Sequence, residues 1–473
     1  MDKDYEIVIG VEVHVELKTK TKIFCACTTE FGGEPNTHCC PVCMGLPGTL
    51  PVLNEEVVNY AIQAGLATNC EIARNSKQDR KHYFYPDLPT SYQISQDELP
   101  ICRNGHLDIE VEGNKKTVGI TRIHIEEDAG KLIHRDDLGT LVDYNRSGVP
   151  LIEIVSEPDL RSAEETRAFL QKLRAIMLYI GVSDCKMNEG SFRCDLNLSV
   201  RKKGEKEYGT RTEMKNLNSF QSVMRAVEYE AQRQIKEIKD GGTIIQETRR
   251  FDQNSGKTFS MRTKEDAQDY RYLPDADLMP IVIDEERIEK LKKTLPDLPD
   301  VRKKMYMEKY GLNSYDAEQL ISSIDIADYF EEAVKLCKNP KTLANIMITE
   351  VFRIVDTDDF TAPFSYKYLA ELVDLLEDGT INSSTSKKIL EEMIKGDKPP
   401  SVIVKEKGLE QINDIETLLP IIQEAIKSSE KAVKEYKGGK EKALQAIIGK
   451  IMGKTRGKAN PETTIKLLKE NLK

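Results

Sequence analysis

Two constellations in the 473-residue sequence carry side chains that could do chemistry, one soft and local, the other hard and dispersed. The local one reads Cys25-Ala-Cys27, then twelve residues, then Cys40-Pro-Val-Cys43. Two short-spaced thiol pairs can each chelate one edge of a tetrahedron, and the loop between them can bring the pairs together, which is the pattern of a structural Zn²⁺ site. Four thiolates would close the coordination sphere, so the ion would hold the fold rather than meet substrate. Free buried thiols or a redox pair share the spacing, and His38 and Cys39 stand beside the second pair as competing ligands.

The dispersed constellation rests on alternation. Gly10-Val-Glu-Val-His-Val-Glu-Leu17 has a period of two, with Val11, Val13, Val15 and Leu17 on one face and Glu12, His14 and Glu16 on the other. The device recurs at Ile120 to Glu127, which puts Arg122, His124 and Glu126 on one face and Glu127 on the other. It recurs again around Leu151-Ile-Glu-Ile-Val155, which carries Glu153, and in Arg193 to Arg201, where Asp195, Asn197 and Ser199 share a face. A solvated antiparallel strand alternates in the same way. Several strands that each send acids, amides or a His to one side point instead to a sheet whose polar face holds a site. Two carboxylates about 4 Å apart repel by roughly 4 kcal/mol at an effective dielectric near 20, so a convergent acidic site needs cations or raised pKa values.

The elements that must position these groups follow from periodicity and capping. Asn54 caps an expected helix over Glu55 to Thr68. Ser162-Ala-Glu-Glu165 reads as a capping box for a helix ending at Gly181, and another helix runs from Phe220 to about Lys239. Lys77 to Pro89 interleaves basic and aromatic residues, which suits nucleotide stacking or a packed loop. Arg249, Arg250 and Arg271 could clamp an anion or pair with the surplus acid. There is no Walker loop and no Gly-x-Gly-x-x-Gly, so a nucleotide would be held another way. Beyond about Glu285 helical patterns take over, including Ile326 to Leu336, Leu343 to Ile354 and Tyr368 to Leu376. Lys398-Pro-Pro400 reads as a linker edge before Leu418 to Ile426 and Ser428 to Tyr436.

Composition bounds the class. No stretch reaches the ~20 continuous apolar residues of a spanning helix, and Cys usage fits a reducing compartment, so the expectation is a cytoplasmic protein with no membrane partner. The net charge of −10 is uneven: Lys431 to Lys473 holds twelve Lys/Arg against four Glu, about +8, leaving about −18 elsewhere. That asymmetry fits one module meeting a polyanion, or a lysine-rich helical tail that is only solvated.

Taken together, Gly10 to Leu17, Tyr83-Phe-Tyr-Pro-Asp-Leu-Pro89, Tyr92-Gln-Ile-Ser-Gln96, Ile125-Glu-Glu-Asp-Ala-Gly-Lys131, Pro150 to Asp159, Lys215-Asn-Leu-Asn-Ser-Phe220, Glu247 to Phe251 and Asp269 to Tyr272 resemble the GatB/GatE family, the B subunits of tRNA-dependent amidotransferases. The resemblance is nearly end to end. It implies an α+β fold with a large catalytic cradle on a mainly antiparallel sheet with flanking helices over 1–292, a helical domain over 293–400 and a helical YqeY-like, tRNA-binding tail over 401–473. It also implies an ATP-dependent enzyme that phosphorylates the side-chain carboxylate of mischarged Glu-tRNA(Gln) or Asp-tRNA(Asn). Ammonia would come from glutamine hydrolysed by the family's A subunit, and its small C subunit would complete the GatCAB heterotrimer. By matching motifs, Glu12, His14, Glu126, Glu127 and Glu153 are the implied Mg²⁺ ligands and catalytic residues, with Asp195 a further catalytic or metal-positioning acid. Cys25, Cys27, Cys40 and Cys43 fit the zinc-bearing branch. Pro274-Asp-Ala-Asp-Leu278 and Leu273 depart from the commoner family pattern. Two other functions remain open on the residues: a zinc-stabilised tRNA adaptor, or a free-standing ATP-dependent ligase for a small acid.

Overall fold

The computed structural model describes residues 3–263, 270–357, 360–396, 398–412, 414–455 and 457–472. Asp269, Arg456 and Lys473 lie outside them. The chain divides into two compact units, Met1–Pro299 and Asp300–Lys473.

The main sheet of the first unit has, among the described residues, nine strands: β1 (Tyr5–Glu16), β2 (Glu71–Ile72), β3 (Cys102–Val111), β4 (Asn114–Glu127), β5 (Pro150–Ser156), β6 (Phe192–Lys202), β7 (Thr212–Lys215), β8 (Glu247–Asp252) and β9 (Lys257–Thr263). Their order across the sheet is β9-β8-β7-β6-β1-β5-β4-β3-β2. Every pairing is antiparallel except β7 with β8. The longest strands therefore sit toward the centre, with β1 flanked by β5 and β6.

Register follows from burial. On β1 the side chains of Ile7, Ile9, Val11, Val13 and Val15 are almost wholly buried in one core, together with Ile123 and Ile125 of β4, Ile152 and Ile154 of β5, and Leu196 and Leu198 of β6. Burying each such side chain is worth about 1.5–3 kcal/mol. A one-residue slip would send Glu12, His14 and Glu16 into that core, so the alternation locks the pairing. Helices α1 (Glu55–Ala67), α2 (Ala163–Tyr179) and α3 (Phe220–Lys239) supply the other half of the core through Val57, Ile62, Phe169, Leu173, Val223 and Val227. Their starts are set as the sequence implies: Asn54 accepts from the Glu56 N–H at 3.0 Å and Ser162 from the Glu165 N–H at 3.1 Å. Glu165 completes its half of the box one residue early, accepting from the Arg161 N–H at 2.7 Å.

A small three-stranded sheet, Leu273–Pro274 with Asp79–His82 and Tyr92–Ser95, belongs to the same unit. The Pro274 to Leu278 segment is anchored to it by Arg80, whose Nε and Nη2 meet Asp275 and Asp277 at 2.6 and 2.7 Å. That gives the atypical sequence there a structural reason.

Among its described residues the second unit is helical. The expected helices appear as Ile324–Val334, as Pro340–Ile346 running into a π-helical turn at Met347–Val351, and as Tyr366–Glu377. Pro400 opens the helix Pro400–Lys407, a position where the missing N–H costs nothing. Helices from Ile415 onward gather their own hydrophobic cluster around Leu418, Ile422, Ile447, Ile451 and Leu468. No helix among the described residues is long and apolar enough to cross a membrane.

Candidate functional site

The central strands carry the polar groups on the face opposite the core. Because β1, β5 and β4 are adjacent and in register, His14 pairs with Glu153 and Glu153 with His124, one row across three strands. Glu126 stands one pleat further along β4 on the same face. The four side chains close into a quartet. His14 Nε2 lies 3.5 Å from Glu126 Oε1 and 3.4 Å from Glu153 Oε2. His124 Nε2 lies 3.5 Å from Glu126 Oε2 and 3.4 Å from Glu153 Oε2. Ser95 Oγ donates to Glu126 Oε2 at 3.1 Å.

The quartet's electrostatics follow from this packing. Burial alone would push the His124 imidazole down, but Glu153 and Glu126 outweigh it and raise its pKa to about 9. His14 is raised in the same way, against burial, chiefly by Glu153. Burial works to raise the two carboxyls, yet the imidazoles hold Glu126 below, and Glu153 well below, the usual carboxylate range. Two carboxyls and two imidazoles thus stand in contact, and His14 Nε2, between Glu126 and Glu153, faces both oxygens that could share a cation with it. His14, Glu126 and Glu153 each offer a ligand atom within 4.8 Å of the others, a donor set fit for one hard or borderline cation.

The other implied residues flank the quartet unequally. Glu12 is one pleat along β1 from His14; its Oε1 accepts from Asn197 Nδ2 at 2.8 Å, and burial followed by the charge of Glu153 raises its pKa. Asp195, in register with Glu12 across β6, is engaged by Lys215 Nζ at 2.5 Å. Glu127 is turned to the opposite face, because β4 keeps its alternation through Glu126 opposite Leu151 and Glu127 opposite Pro150. Its Oε1 accepts from the Ile94 N–H at 2.9 Å, and burial lifts its pKa to about 8. There it lines a 280 Å³ cavity with Lys22, Cys43, Leu46, Leu88 and Ile94.

Several neighbours lie in stretches the sequence marked without tying them to this site. Lys81 and Ser95 come from the three-stranded sheet, and Lys81 Nζ sits 4.8 Å above the Tyr270 ring. Its pKa rises against burial mainly through Glu126. Arg193 Nη2 holds Asp128 at 2.6 Å, and Glu16, buried beside Asp128, is pushed up to about 8. His124 and Glu16 were legible as polar-face residues from their spacing to Glu126 and His14. Arg249 pairs with Glu247 at 2.5 Å and Glu230 at 3.3 Å, so this arginine answers the chain's own acid.

The cysteine loop forms the second cluster. Cys25, Cys27, Cys40 and Cys43 bring their sulfurs within 4.8 Å of one another, a possible four-thiolate metal site. The neighbours that compete in sequence are not among the four converging sulfurs: Cys39 Sγ lies 3.7 Å from Asn145 Oδ1 and beside the Cys43 thiol, and the His38 ring packs against Gly33 with its Nδ1 buried and unpartnered. Lys22, 1% exposed, reaches Cys43 Sγ at 3.6 Å and the Tyr144 carbonyl at 3.2 Å. The Cys43 thiol is held down to about 4, chiefly by the Cys25 thiol.

Comparison with known proteins agrees with this geometry. Residues 7–289 match the family model described as the GatB/GatE catalytic domain, and residues 328–472 match the one described as the GatB domain. The chain belongs to the GatB/GatE family. Relatives within it are the aspartyl/glutamyl-tRNA(Asn/Gln) amidotransferase subunits B of Caldicellulosiruptor saccharolyticus, 58% identical, and Carboxydothermus hydrogenoformans, 55% identical. That of Thermoanaerobacter pseudethanolicus is 54% identical, and each alignment covers 99% of both chains. In this GatB/GatE member the matched catalytic region contains both donor clusters.

Proposed function

We propose that this chain is the phosphorylating B subunit of a tRNA-dependent amidotransferase, acting on Glu-tRNA(Gln), Asp-tRNA(Asn) or both. The observation that carries the reading is the His14–Glu153–His124 row with Glu126 beside it, a partly buried, pre-formed donor set for one divalent ion. A bound Mg²⁺ would supply charge neutralisation for ATP and for the carboxylate that attacks its γ-phosphoryl group. His14, Glu126 and Glu153 would hold it. Glu12 and Asp195 line the same face and keep the approach acidic, which favours a cation there. Lys81, above Tyr270, offsets the quartet's carboxylates.

The chemistry asks for activation because a carboxylate is a poor electrophile. Transfer of the γ-phosphoryl group to the side-chain carboxylate of the tRNA-bound Glu or Asp releases ADP and gives an acyl phosphate. Ammonia, released from glutamine by a partner glutaminase (the A subunit of such an enzyme), attacks the acyl carbon; phosphate leaves with the C–O bond, and the amide remains. A small C subunit would complete the heterotrimer. Zn²⁺ on Cys25, Cys27, Cys40 and Cys43 would be structural, since four thiolates leave no open position. The basic segment from Lys431, within a tail taken as 401–473, would hold tRNA through its phosphates.

The test is amide formation by the chain co-purified with its A and C subunits, with ATP, Mg²⁺, glutamine and each mischarged tRNA. Tenfold faster turnover with tRNA than with free glutamate or aspartate is expected, on the order of what a differential contact supplies. ATP consumption on the free acids alone would favour a small-acid ligase, and tRNA binding with no ATP turnover would favour an adaptor.

A further inference from the structure

The polar face carries a second feature, one pleat from the quartet and toward the β3 edge. Arg122 of β4 lies directly opposite Arg103 of β3, and opposite Val155 of β5 on its other side. Cross-strand partners stand with Cβ atoms about 4.5–5.5 Å apart on one face, and like charges so placed destabilise a sheet. Among the described residues neither guanidinium has a carboxylate within ion-pair distance. Arg103 donates only to the Glu98 carbonyl, and Arg122 Nε is buried with no partner. Glu71, opposite Arg103 on β2, instead accepts from Asn104 Nδ2 at 3.2 Å.

This is anomalous on a face so rich in acid. Arg193, Lys215 and Arg201 on the same face each meet a carboxylate, at 2.6, 2.5 and 2.8 Å. A half-buried guanidinium beside another, with a buried N–H unused, is costly unless something else supplies the acceptor. The residue two along from Arg122 is His124, and the next on that face is Glu126, so an anion carried by an ion in the quartet arrives within reach of the pair.

We propose that Arg103 and Arg122 form the phosphate clamp for the nucleoside triphosphate of this site. The assignment rests on the kinase reading above. Phosphoryl oxygens satisfy the unpaired N–H groups, relieve the repulsion between the guanidiniums, and run from the clamp to the metal donors along one face. Arginine suits this because its planar fork bonds phosphate oxygens two at a time. The nucleotide, rather than a tRNA phosphate, is assigned because the clamp adjoins the metal donors by a single pleat.

The test measures binding of Mn²⁺ with a non-hydrolysable ATP analogue to the full chain and to Arg122→Gln, Arg103→Gln and Glu153→Gln, beside tRNA binding and the thermal midpoint without ligand. Arg122→Gln should weaken analogue binding by roughly tenfold or more, the loss of a charge-assisted hydrogen bond, with Arg103→Gln weaker in the same direction. Adenosine binding should stay unchanged. The ligand-free midpoint of Arg122→Gln should hold or rise, because a like-charge contact is removed; a packing arginine would lower it. Should Arg122→Gln fail to fold, the exposed Arg103→Gln carries the same comparison. Parental analogue affinity in both arginine variants, or a loss confined to tRNA, would overturn the clamp. If the parent chain binds no analogue, or Glu153→Gln binds it as the parent does, the kinase reading fails instead.

Discussion

The cysteine cluster and the His–carboxylate quartet lie in one unit of the molecule and are built in opposite ways. Four thiols come from a single loop, Cys25 to Cys43, so their convergence depends on local turns and little else. His14, Glu126 and Glu153 come from three different strands and meet only because β1, β5 and β4 pair in one register. The loop site is soft and closed; the sheet site is hard, charged and open along its His14 edge, where the side chain is 22% exposed. The difference teaches that a four-thiol donor set can be specified by spacing, whereas a His–carboxylate set needs a rigid scaffold to hold charges that repel one another.

That contrast can be broken or sharpened by substitution. The largest effect is expected from Glu153→Gln or Glu126→Gln. Either should lower ATP-dependent amide formation by on the order of 10³-fold, since a metal's charge stabilisation is worth several kcal/mol, while metal bound by the cysteines, read by elemental analysis, stays constant. Loss of both metals together would mean the two clusters are not independent.

Next is Cys43→Ser, or removal of the cysteine-bound ion by a chelator. The thermal midpoint should fall by about 5 °C or more, and Mn²⁺ affinity at the quartet, measured below the new midpoint, should change by less than about threefold. A large loss of Mn²⁺ affinity would tie the loop to the sheet site.

Glu127 gives a smaller, pH-dependent effect. Its folded pKa of about 8 exceeds the ordinary carboxyl value of 4.5, so the folded chain keeps a proton that the unfolded chain releases. Stability therefore declines as pH rises from about 4.5 to 8 through this group, and is constant outside that window. Glu127→Gln, which can still accept from the Ile94 N–H, should match the parent at about pH 4 to 5. It should exceed the parent at about pH 8 by on the order of 1 kcal/mol or more in denaturant unfolding. Equal stability at both pH values would show that the cavity beside Glu127 hydrates the ionised acid.

The smallest change is Asn54→Ala. Asn54 caps α1 and also donates to Thr21 Oγ1 at 3.0 Å, tying that helix to the chain just before the cysteine loop. A loss of about 1 kcal/mol is expected from the cap, visible in equilibrium denaturation with the quartet's metal affinity unaffected.

Much of this was legible in the chain itself, for identifiable reasons. Valine and isoleucine at every second position of β1 required one buried face, so His14 and Glu12 had to emerge on the other. Ser162 and Asn54 marked helix starts because their oxygens fit the free amides there. The Cys25 to Cys43 spacing pointed to a chelating loop, although only the tertiary structure shows which four sulfurs converge, leaving out Cys39 and His38. For Glu127 two sequence signals disagreed. The family motif grouped it with Glu126 and the alternation of its strand put it on the other face; the structure keeps the alternation, and only tertiary packing shows that the surroundings there are a cavity.

The sequence by itself determined which faces were apolar, where helices began, the four-thiol loop and the basic tail, because periodicity, capping and charge act between near neighbours. Tertiary structure alone decided that β5 lies between β1 and β4. From that order come the His14–Glu153–His124 row, the Lys81 and Ser95 contacts brought by a second sheet, and the Arg103–Arg122 pairing. Strand order is fixed by long-range burial, summed over a whole core, and no short stretch of residues records it.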